Sequence, residues 1–94
     1  MKVYLTALLK AKKENAPVLK AVLENMVLNS RKEKACLQYD LFETDDAQTF
    51  IFHEIWETQK GLDLHNNMPY ITEFRNKHSE LANEIIIYKT NKIA

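Results

Sequence analysis

Alternating polar and apolar residues predict four β-strands in this chain. The predicted strands cover residues 2–9, 36–43, 48–57 and 83–90. In the first and the last strand apolar side chains occur at successive positions, as at Ile86 and Ile87, which is typical of a strand covered on both faces. In the second strand one face is predicted to carry Leu37, Tyr39 and Leu41, and the other Cys36, Gln38, Asp40 and Phe42.

Apolar residues at helical spacing predict two helical regions. The first begins near Asn15-Ala16-Pro17, where the missing N–H of proline costs little, and ends in the polar segment 29–34. Its apolar stripe consists of Val18, Leu19, Val22, Leu23, Met26 and Val27. The second region is a short helix over residues 59–66, a break at Asn67-Met68, and a further helix from Pro69. The stripe of that last helix consists of Ile71, Phe74, His78 and Leu81.

The order β-α-β-β-α-β predicts an α+β fold of the ferredoxin-like kind, a four-stranded antiparallel sheet with its helices on one face. With 94 residues, the chain is expected to form a single domain over residues 1–94. The sheet face without helices would still carry apolar side chains. A second copy of the same sheet is the simplest cover, so we expect a homodimer.

The balance of charges restricts the partners. The chain has 13 basic and 13 acidic residues, and we expect no nucleic-acid and no membrane partner, because such surfaces need an excess of Lys and Arg. Gly61 is the only glycine, which excludes the glycine-rich phosphate loops. The single cysteine, Cys36, cannot form an internal disulfide, and no long apolar run marks a signal peptide. A cytoplasmic location is therefore expected.

The third strand and the helix after it hold the most informative chemistry. Phe50, Phe52, Glu54 and Trp56 share one strand face, and His65 lies on the apolar side of the following helix. Aromatic walls with a few polar groups are typical of a small enclosed pocket for an aromatic ligand. Glu54 is either an anchor in that pocket or an edge carboxylate paired with a lysine or the backbone. His65 is either a general base or ligand donor, or a core-edge histidine bonded to the backbone.

Two tyrosines complete the set of candidates. Tyr39 and Tyr70 each carry a hydroxyl that needs a partner if buried, and either could donate to a phenolic or quinone oxygen. No metal site is expected. The three histidines and Cys36 lack ligand spacing, such as histidine pairs at i, i+4 or paired cysteines.

Several short motifs resemble those of antibiotic biosynthesis monooxygenase domains. Residues 33–39 are similar to the pattern E-x-G-C-L-x-Y that leads into the second strand of that family. Residues 50–56 and 62–65 carry Phe, Glu, Trp, Leu and His at the positions of its F-x-x-x-E-x-W…L-x-x-H signature. Residues 69–74 match the proline and phenylalanine of P-H-x-x-x-F. Two departures are Ala35 in place of the usual glycine and Tyr70 where many members have a second histidine.

The resemblance implies a dimeric α/β barrel built from two ferredoxin-like sheets. It also implies that phenols or quinols are oxidised by O₂ without metal, flavin or haem. No cofactor is therefore expected, and the partners would be a small aromatic molecule and O₂. On this basis the catalytic residues would be His65 as base or oxyanion partner, Glu54 as its orienting group and Tyr70 as a donor. The substrate-binding residues would be Phe50, Phe52, Trp56 and Tyr39.

Two other functions are compatible with the same pocket. One is a non-catalytic ligand-binding or stress-response dimer, which would bind a small aromatic molecule without turnover. The other is an isomerase or lyase acting on a small polar metabolite. A pocket lined by several charged groups would favour the latter, whereas the apolar third strand speaks against it.

Overall fold

The computed structural model describes residues 1–94, and its elements follow the predicted order. The strands are β1 Val3–Ala11, β2 Cys36–Glu43, β3 Thr49–Trp56 and β4 Ala82–Thr90. The helices are α1 Ala16–Ser30, preceded by a short 3-10 turn at Lys13–Asn15, α2 Gln59–Asn66 and α3 Pro69–Leu81. The second helical region is thus two helices, separated at Asn67 and Met68 as the sequence predicts.

The sheet places the first strand in its interior. Its strands run in the order β2-β3-β1-β4, and each neighbouring pair is antiparallel. Ala7 of β1 lies opposite Phe52 of β3 on one side and Ile87 of β4 on the other. A four-stranded antiparallel sheet with its helices on one face confirms the predicted α+β ferredoxin-like fold.

The core lies between the helices and one face of the sheet. Phe50 and Trp56 of β3 are fully buried and belong to the same apolar cluster as Leu19 and Leu23 of α1. The buried face of β3 therefore carries the four residues predicted to share it. The stripe predicted for α1 is wrong at Val18, which is 52% exposed. The buried positions instead follow the spacing i, i+4, i+7, i+8 and i+11, and consist of Leu19, Leu23, Met26, Val27 and Ser30.

A β-bulge corrects the predicted faces of β2. Cys36 lies opposite Trp56, but the next paired residue is Gln38, opposite Ile55, so Leu37 has no partner in the ladder. The extra residue inverts the alternation, because two residues of the bulged strand oppose one on its neighbour. Cys36 therefore shares the buried face of Trp56, and Leu37, predicted to lie on the face of Tyr39, is 47% exposed.

Gly61 lets the first turn of α2 pack against the segment before β2. A β-carbon at this position would overlap the methyl group of Ala35. Ala35 is the residue that replaces the usual glycine of the motif, and its φ is not positive. The methyl group of Ala35 thus occupies space that Gly61 leaves free.

The turn between β2 and β3 contains no glycine, as predicted, and Ala47 adopts a left-handed conformation with φ of 55°. Asp46 holds this turn by accepting hydrogen bonds from the Thr44 hydroxyl at 2.6 Å and from the backbone N–H of Gln48 at 2.9 Å. The Thr44 bond is the main reason that the pKa of Asp46 lies below its usual value.

The outer face of the sheet, opposite the helices, is rich in apolar side chains. These residues are Tyr4, Leu8, Phe42, Ile51, Ile55, Ile86 and Tyr88. Phe42 and Tyr88 are more than half exposed. We call this set the outer face. None of the helices is long and apolar enough to cross a membrane.

Candidate active site

A cavity of about 270 Å³ lies between the inner face of the sheet and helices α2 and α3. Its apolar walls are Leu5, Ala7, Leu9, Met26, Phe52, Ile71, Phe74, Ile85 and Ile87. Its polar lining residues are Tyr39, Glu54, His65, Asn66, Arg75 and His78. Four of the predicted site residues, His65, Glu54, Tyr39 and Phe52, thus lie around one apolar cavity of the kind that binds small molecules.

Glu54 is a carboxylate buried by the inner face of β3. Because side chains alternate along a strand, Glu54 lies on the same inner face as Phe52 and Trp56, and Glu54 is only 7% exposed. The indole N–H of Trp56 donates to Oε1 of Glu54 over 2.9 Å. Burial raises the pKa of Glu54 to about 7, the charge of Glu33 adds to the rise, and the Trp56 bond opposes it. Glu54 can therefore exchange a proton near neutral pH.

His65 lies in the last turn of α2 and is 4% exposed. Thr58 caps the N-terminus of this helix, because its side chain accepts a hydrogen bond from the Gly61 N–H at 3.0 Å. The imidazole ring lies beside Trp56, with centroids 4.3 Å apart, and its Nδ1 is 2.7 Å from Oε2 of Glu33. Burial lowers the pKa of His65, and the Glu33 contact opposes that effect. The partner of His65 Nδ1 is thus a carboxylate and not the backbone group that the core-edge alternative assumes.

Glu33 contacts two of the predicted site residues but was not itself predicted from the sequence. It lies in the turn between α1 and β2, where its N–H bonds to the Ser30 carbonyl at 3.0 Å, and its side chain is only 10% exposed. Oε2 of Glu33 contacts His65 and also accepts a hydrogen bond from the hydroxyl of Tyr70. The one available signal was the motif over residues 33–39, in which Glu33 is the first residue. Nothing in the spacing indicated its partners.

The two candidate tyrosines differ in position. Tyr39 lines the cavity and is 2% exposed, with its ring 5.0 Å from that of Phe52 and 5.6 Å from that of His65. Tyr70 is not a lining residue of this cavity, because its hydroxyl is directed to Glu33 and lies 3.4 Å from the Ser30 hydroxyl. Burial is the main cause that raises the pKa of both phenols above the usual value. The second cause is the charge of Glu54 for Tyr39 and the hydrogen bond to Glu33 for Tyr70.

Phe50 and Trp56 are buried on the same face of β3 as Phe52 and Glu54 but do not line the cavity. Trp56 acts through its N–H on Glu54 and through its ring on His65. Both residues pack in the apolar core. Among the seven predicted site residues, the structure brings four to the cavity and leaves Phe50, Trp56 and Tyr70 outside its lining.

Three polar residues of the cavity were not predicted as site residues. Arg75 donates from a terminal guanidinium nitrogen to the Asn66 carbonyl over 2.9 Å, and Nδ1 of His78 lies 2.7 Å from the Arg75 carbonyl. His78 was predicted only as a member of the α3 stripe. Arg75 and Asn66 gave no signal, because exposed polar residues on a helix are ordinary.

No group of three or more His, Cys, Asp or Glu side chains is placed to hold a metal ion. His53 lies on the outer face, where its Nδ1 is 3.3 Å from the hydroxyl of Thr6. Burial raises the pKa of the Cys36 thiol to about 11, with contributions from the charges of Glu33 and Glu54. The thiol therefore stays protonated at neutral pH and is a poor nucleophile.

The sequence model of the family described as "Antibiotic biosynthesis monooxygenase" matches residues 2–77. Three known proteins are similar in sequence. "Uncharacterized protein sll1783" of Synechocystis is 32% identical over 85 residues, which is 86% of this chain and 58% of that protein. "Putative monooxygenase Rv0793" of Mycobacterium tuberculosis is 32% identical over 63 residues, which is 67% of this chain and 62% of that protein. The chain thus spans about three fifths of the length of these two relatives. "Putative monooxygenase YcnE" of Bacillus subtilis is 31% identical over 80 residues, 84% of each chain.

Solved structures reproduce the fold. Rv0793 superposes with a TM-score of 0.93 at 23% identity, over 100% of this chain and 97% of that one. PA3566 of Pseudomonas aeruginosa gives a TM-score of 0.93 at 29% identity, over 99% of this chain and 95% of that one. The same arrangement of sheet and helices thus recurs at low sequence identity.

Proposed function

Because the chain belongs to the antibiotic biosynthesis monooxygenase family, we propose that it is a monooxygenase that oxidises a small aromatic phenol or quinol with O₂ and without a cofactor. The family and the relatives support a monooxygenase-like function. The observation that carries the finer proposal is the cavity itself, where apolar and aromatic walls enclose two side chains able to take a proton, Glu54 and His65. The proposal places the protein in the cytoplasm, where a lone thiol stays reduced.

The first step of the proposed reaction is deprotonation of the substrate. A flat aromatic ring would lie against Phe52 and Tyr39, with one hydroxyl directed to His65 as general base. One oxygen of Glu54 is held by Trp56, and the other is left to accept a hydrogen bond from a second hydroxyl of the substrate. The burial of Glu54 and His65 favours this transfer, because their neighbours hold both proton acceptors in fixed orientation.

The second step uses the electrons of the substrate anion. The anion gives one electron to O₂, and the resulting superoxide and phenoxyl-type radical combine to form a carbon–oxygen bond. The peroxide anion takes up the proton that His65 removed from the substrate and becomes a hydroperoxide. Cleavage of the O–O bond, with loss of the hydrogen on the same carbon, releases one molecule of water and leaves a new carbonyl. A quinol thereby gains one oxygen atom and loses two hydrogens, and the second atom of O₂ leaves in the water. The substrate supplies both electrons, so the reaction needs no external reductant.

The proposal includes a homodimer that buries the outer face. Two sheets packed through that face would cover its apolar side chains and form the dimeric α/β barrel. Light scattering at micromolar concentration should give about twice the 11.0 kDa mass of one chain. Phe42→Lys should weaken the dimer, whereas Val18→Lys, on the helical side with nearly the same exposure, should not. A mass of one chain for the unaltered protein would contradict the assembly.

A second function is favoured by the polar part of the cavity. Besides Tyr39, four ionisable side chains line it: Glu54, His65, Arg75 and His78. An isomerase or lyase acting on a small polar metabolite would use the same base and a cation to hold an anionic group. It would turn its substrate over without consuming O₂, and this difference separates the two functions.

Oxygen uptake tests the proposal directly. Purified protein should accelerate O₂ consumption by a menadiol-type or an anthrone-type substrate above the spontaneous rate. His65→Ala should lower the turnover roughly a hundredfold, which is the size expected for loss of a general base. A thermal melt of each variant separates this effect from unfolding. No acceleration across a panel of phenols, quinols and anthrones would refute the monooxygenase proposal.

A further inference from the structure

The carboxylate of Glu33 is shared by two side chains that come from separate parts of the chain. Its Oε2 lies 2.7 Å from Nδ1 of His65, 32 residues away, and accepts the hydroxyl of Tyr70, 37 residues away. The Glu33 and His65 side chains are only 10% and 5% exposed. Such a contact is strong because water does not compete for the carboxylate oxygens.

The chemistry of these groups fixes where their protons lie. An ionised carboxylate only accepts hydrogen bonds, so each partner of Glu33 must be a donor. Tyr70 donates its phenolic proton, and Nδ1 of His65 donates its N–H. A neutral imidazole carries a single N–H, and its other nitrogen, Nε2, is then an acceptor.

The surroundings of Nε2 agree with this assignment. No hydrogen bond within the chain involves His65 Nε2, and no buried side-chain nitrogen or oxygen lacks a partner. Nε2 is therefore accessible, and the accessible space beside His65 is the cavity. The nitrogen left without a partner in the protein is the one available to a ligand.

We propose that Glu33 is a positioning residue that sets the tautomer of His65, so that the unprotonated Nε2 faces the cavity. This inference deepens the proposed function and rests on it only for the use made of that nitrogen. When Nε2 takes a proton from the substrate, the carboxylate at Nδ1 stabilises the imidazolium that forms. Tyr70 holds the carboxylate in place and is a positioning residue of Glu33, not a donor to the substrate.

The substitution Glu33→Gln separates charge from shape. The amide keeps the size of the side chain but removes the charge, and its NH₂ can donate to Nδ1 and drive the proton of the ring to Nε2. The cavity would then face an N–H that cannot accept a proton. We expect kcat to fall roughly a hundredfold, within the range for loss of a general base, with little change in KM. Glu33→Asp keeps the charge, should keep the tautomer, and should recover part of the rate.

The tautomer is measured without any substrate. Two-bond ¹⁵N–¹H correlations of the imidazoles identify the protonated nitrogen, and the three histidines can be assigned by replacing each in turn. The wild-type protein should show Nδ1–H at His65, and Glu33→Gln should show Nε2–H. Glu43→Gln, which removes an exposed glutamate paired with Lys20, is the matched control and should leave the His65 spectrum unchanged.

The spectrum tests the tautomer of His65 and the rate tests the proposed function, so the two can be refuted independently. A wild-type His65 with its proton on Nε2 would overturn the inference even if the protein oxidises quinols, and so would a Glu33→Gln protein that keeps Nδ1–H. If Glu33→Gln does not fold, the wild-type spectrum and the Glu33→Asp spectrum still decide. The predicted tautomer in a protein that oxidises no substrate would leave the inference standing and remove the proposed function.

Discussion

Replacing Glu54 by Gln should abolish a large part of the pH dependence of stability. The pKa of Glu54 is about 7 in the folded protein, against a usual value of 4.5, mainly because the carboxylate is buried. Between these values the folded protein binds more protons than the unfolded chain, so stability falls as pH rises. The contribution is fully present below about pH 4.5 and is lost as pH rises through about 7.

The magnitude follows from the interval between the two pKa values. At about 1.4 kcal/mol for each pKa unit, the loss approaches about 3 kcal/mol for this carboxyl group. The residue is only 7% exposed, so solvent screening takes little from this figure. With an m-value of roughly 1–3 kcal/mol/M, the urea midpoint should fall by about 1 M or more between pH 5 and pH 8.

Urea unfolding followed by the fluorescence of Trp56, the single tryptophan, measures this effect. The difference between the wild-type and Glu54→Gln curves isolates the contribution of Glu54, because His65 and the other titrating groups are present in both proteins. His65 acts in the opposite sense, since a lowered histidine pKa makes stability fall as pH falls. The amide oxygen of Gln can still accept the Trp56 N–H. Parallel stability curves for the two proteins from pH 5 to pH 8 would refute the assignment of a raised pKa to Glu54.

Four further substitutions test the packing and the backbone conformation. Gly61→Ala should lower the free energy of unfolding by about 1–3 kcal/mol, because the new methyl group overlaps that of Ala35. Ala35→Gly in the same protein should restore most of the loss, and strict additivity in urea melts would contradict this contact. Ala47→Gly should stabilise the protein by about 1 kcal/mol, because a φ of 55° strains an L-residue; a lower melting temperature would count against it. A groove of about 370 Å³ lies between α1 and α3, and Met26 and Phe74 line both this groove and the cavity. Met26→Ala should therefore join the two spaces. Binding of three-ring aromatics should then improve relative to two-ring ones in fluorescence titrations. An unchanged ratio of the two affinities would contradict the view that Met26 separates the two spaces.

The element order could be predicted because it depends on local periodicity. Alternation along β3 identified its buried face, and Pro69 itself indicated the break before the last helix. The bulge at Leu37 could not be predicted, because it is a property of two paired strands. The exposure of Val18 depends on how α1 rotates against the sheet, and the apolar spacing alone leaves that rotation open.

The candidate site was predictable where one element supplies several of its residues. Glu54 and Phe52 come from the same strand face, and His65 from the helix directly after it. The partner of His65 was not predictable, because Glu33 reaches it through a tertiary contact across 32 residues of sequence. Tyr70 shows the same limit: the sequence indicates a hydroxyl near the pocket, but its direction depends on where Glu33 lies.

Strand β3 connects the site to the proposed dimer. Its even-numbered residues, such as Glu54, lie on the inner face of the sheet, and its odd-numbered residues, such as Ile51 and Ile55, lie on the outer face. A strand with a period of two therefore places the carboxylate of the site and an apolar surface on opposite sides of one backbone. Covering the outer face would support the backbone of Glu54 on that side, while Trp56 holds the side chain of Glu54 on the inner face. The proposed dimer would bury β3 on both sides, which would account for the apolar residues on both faces of this strand.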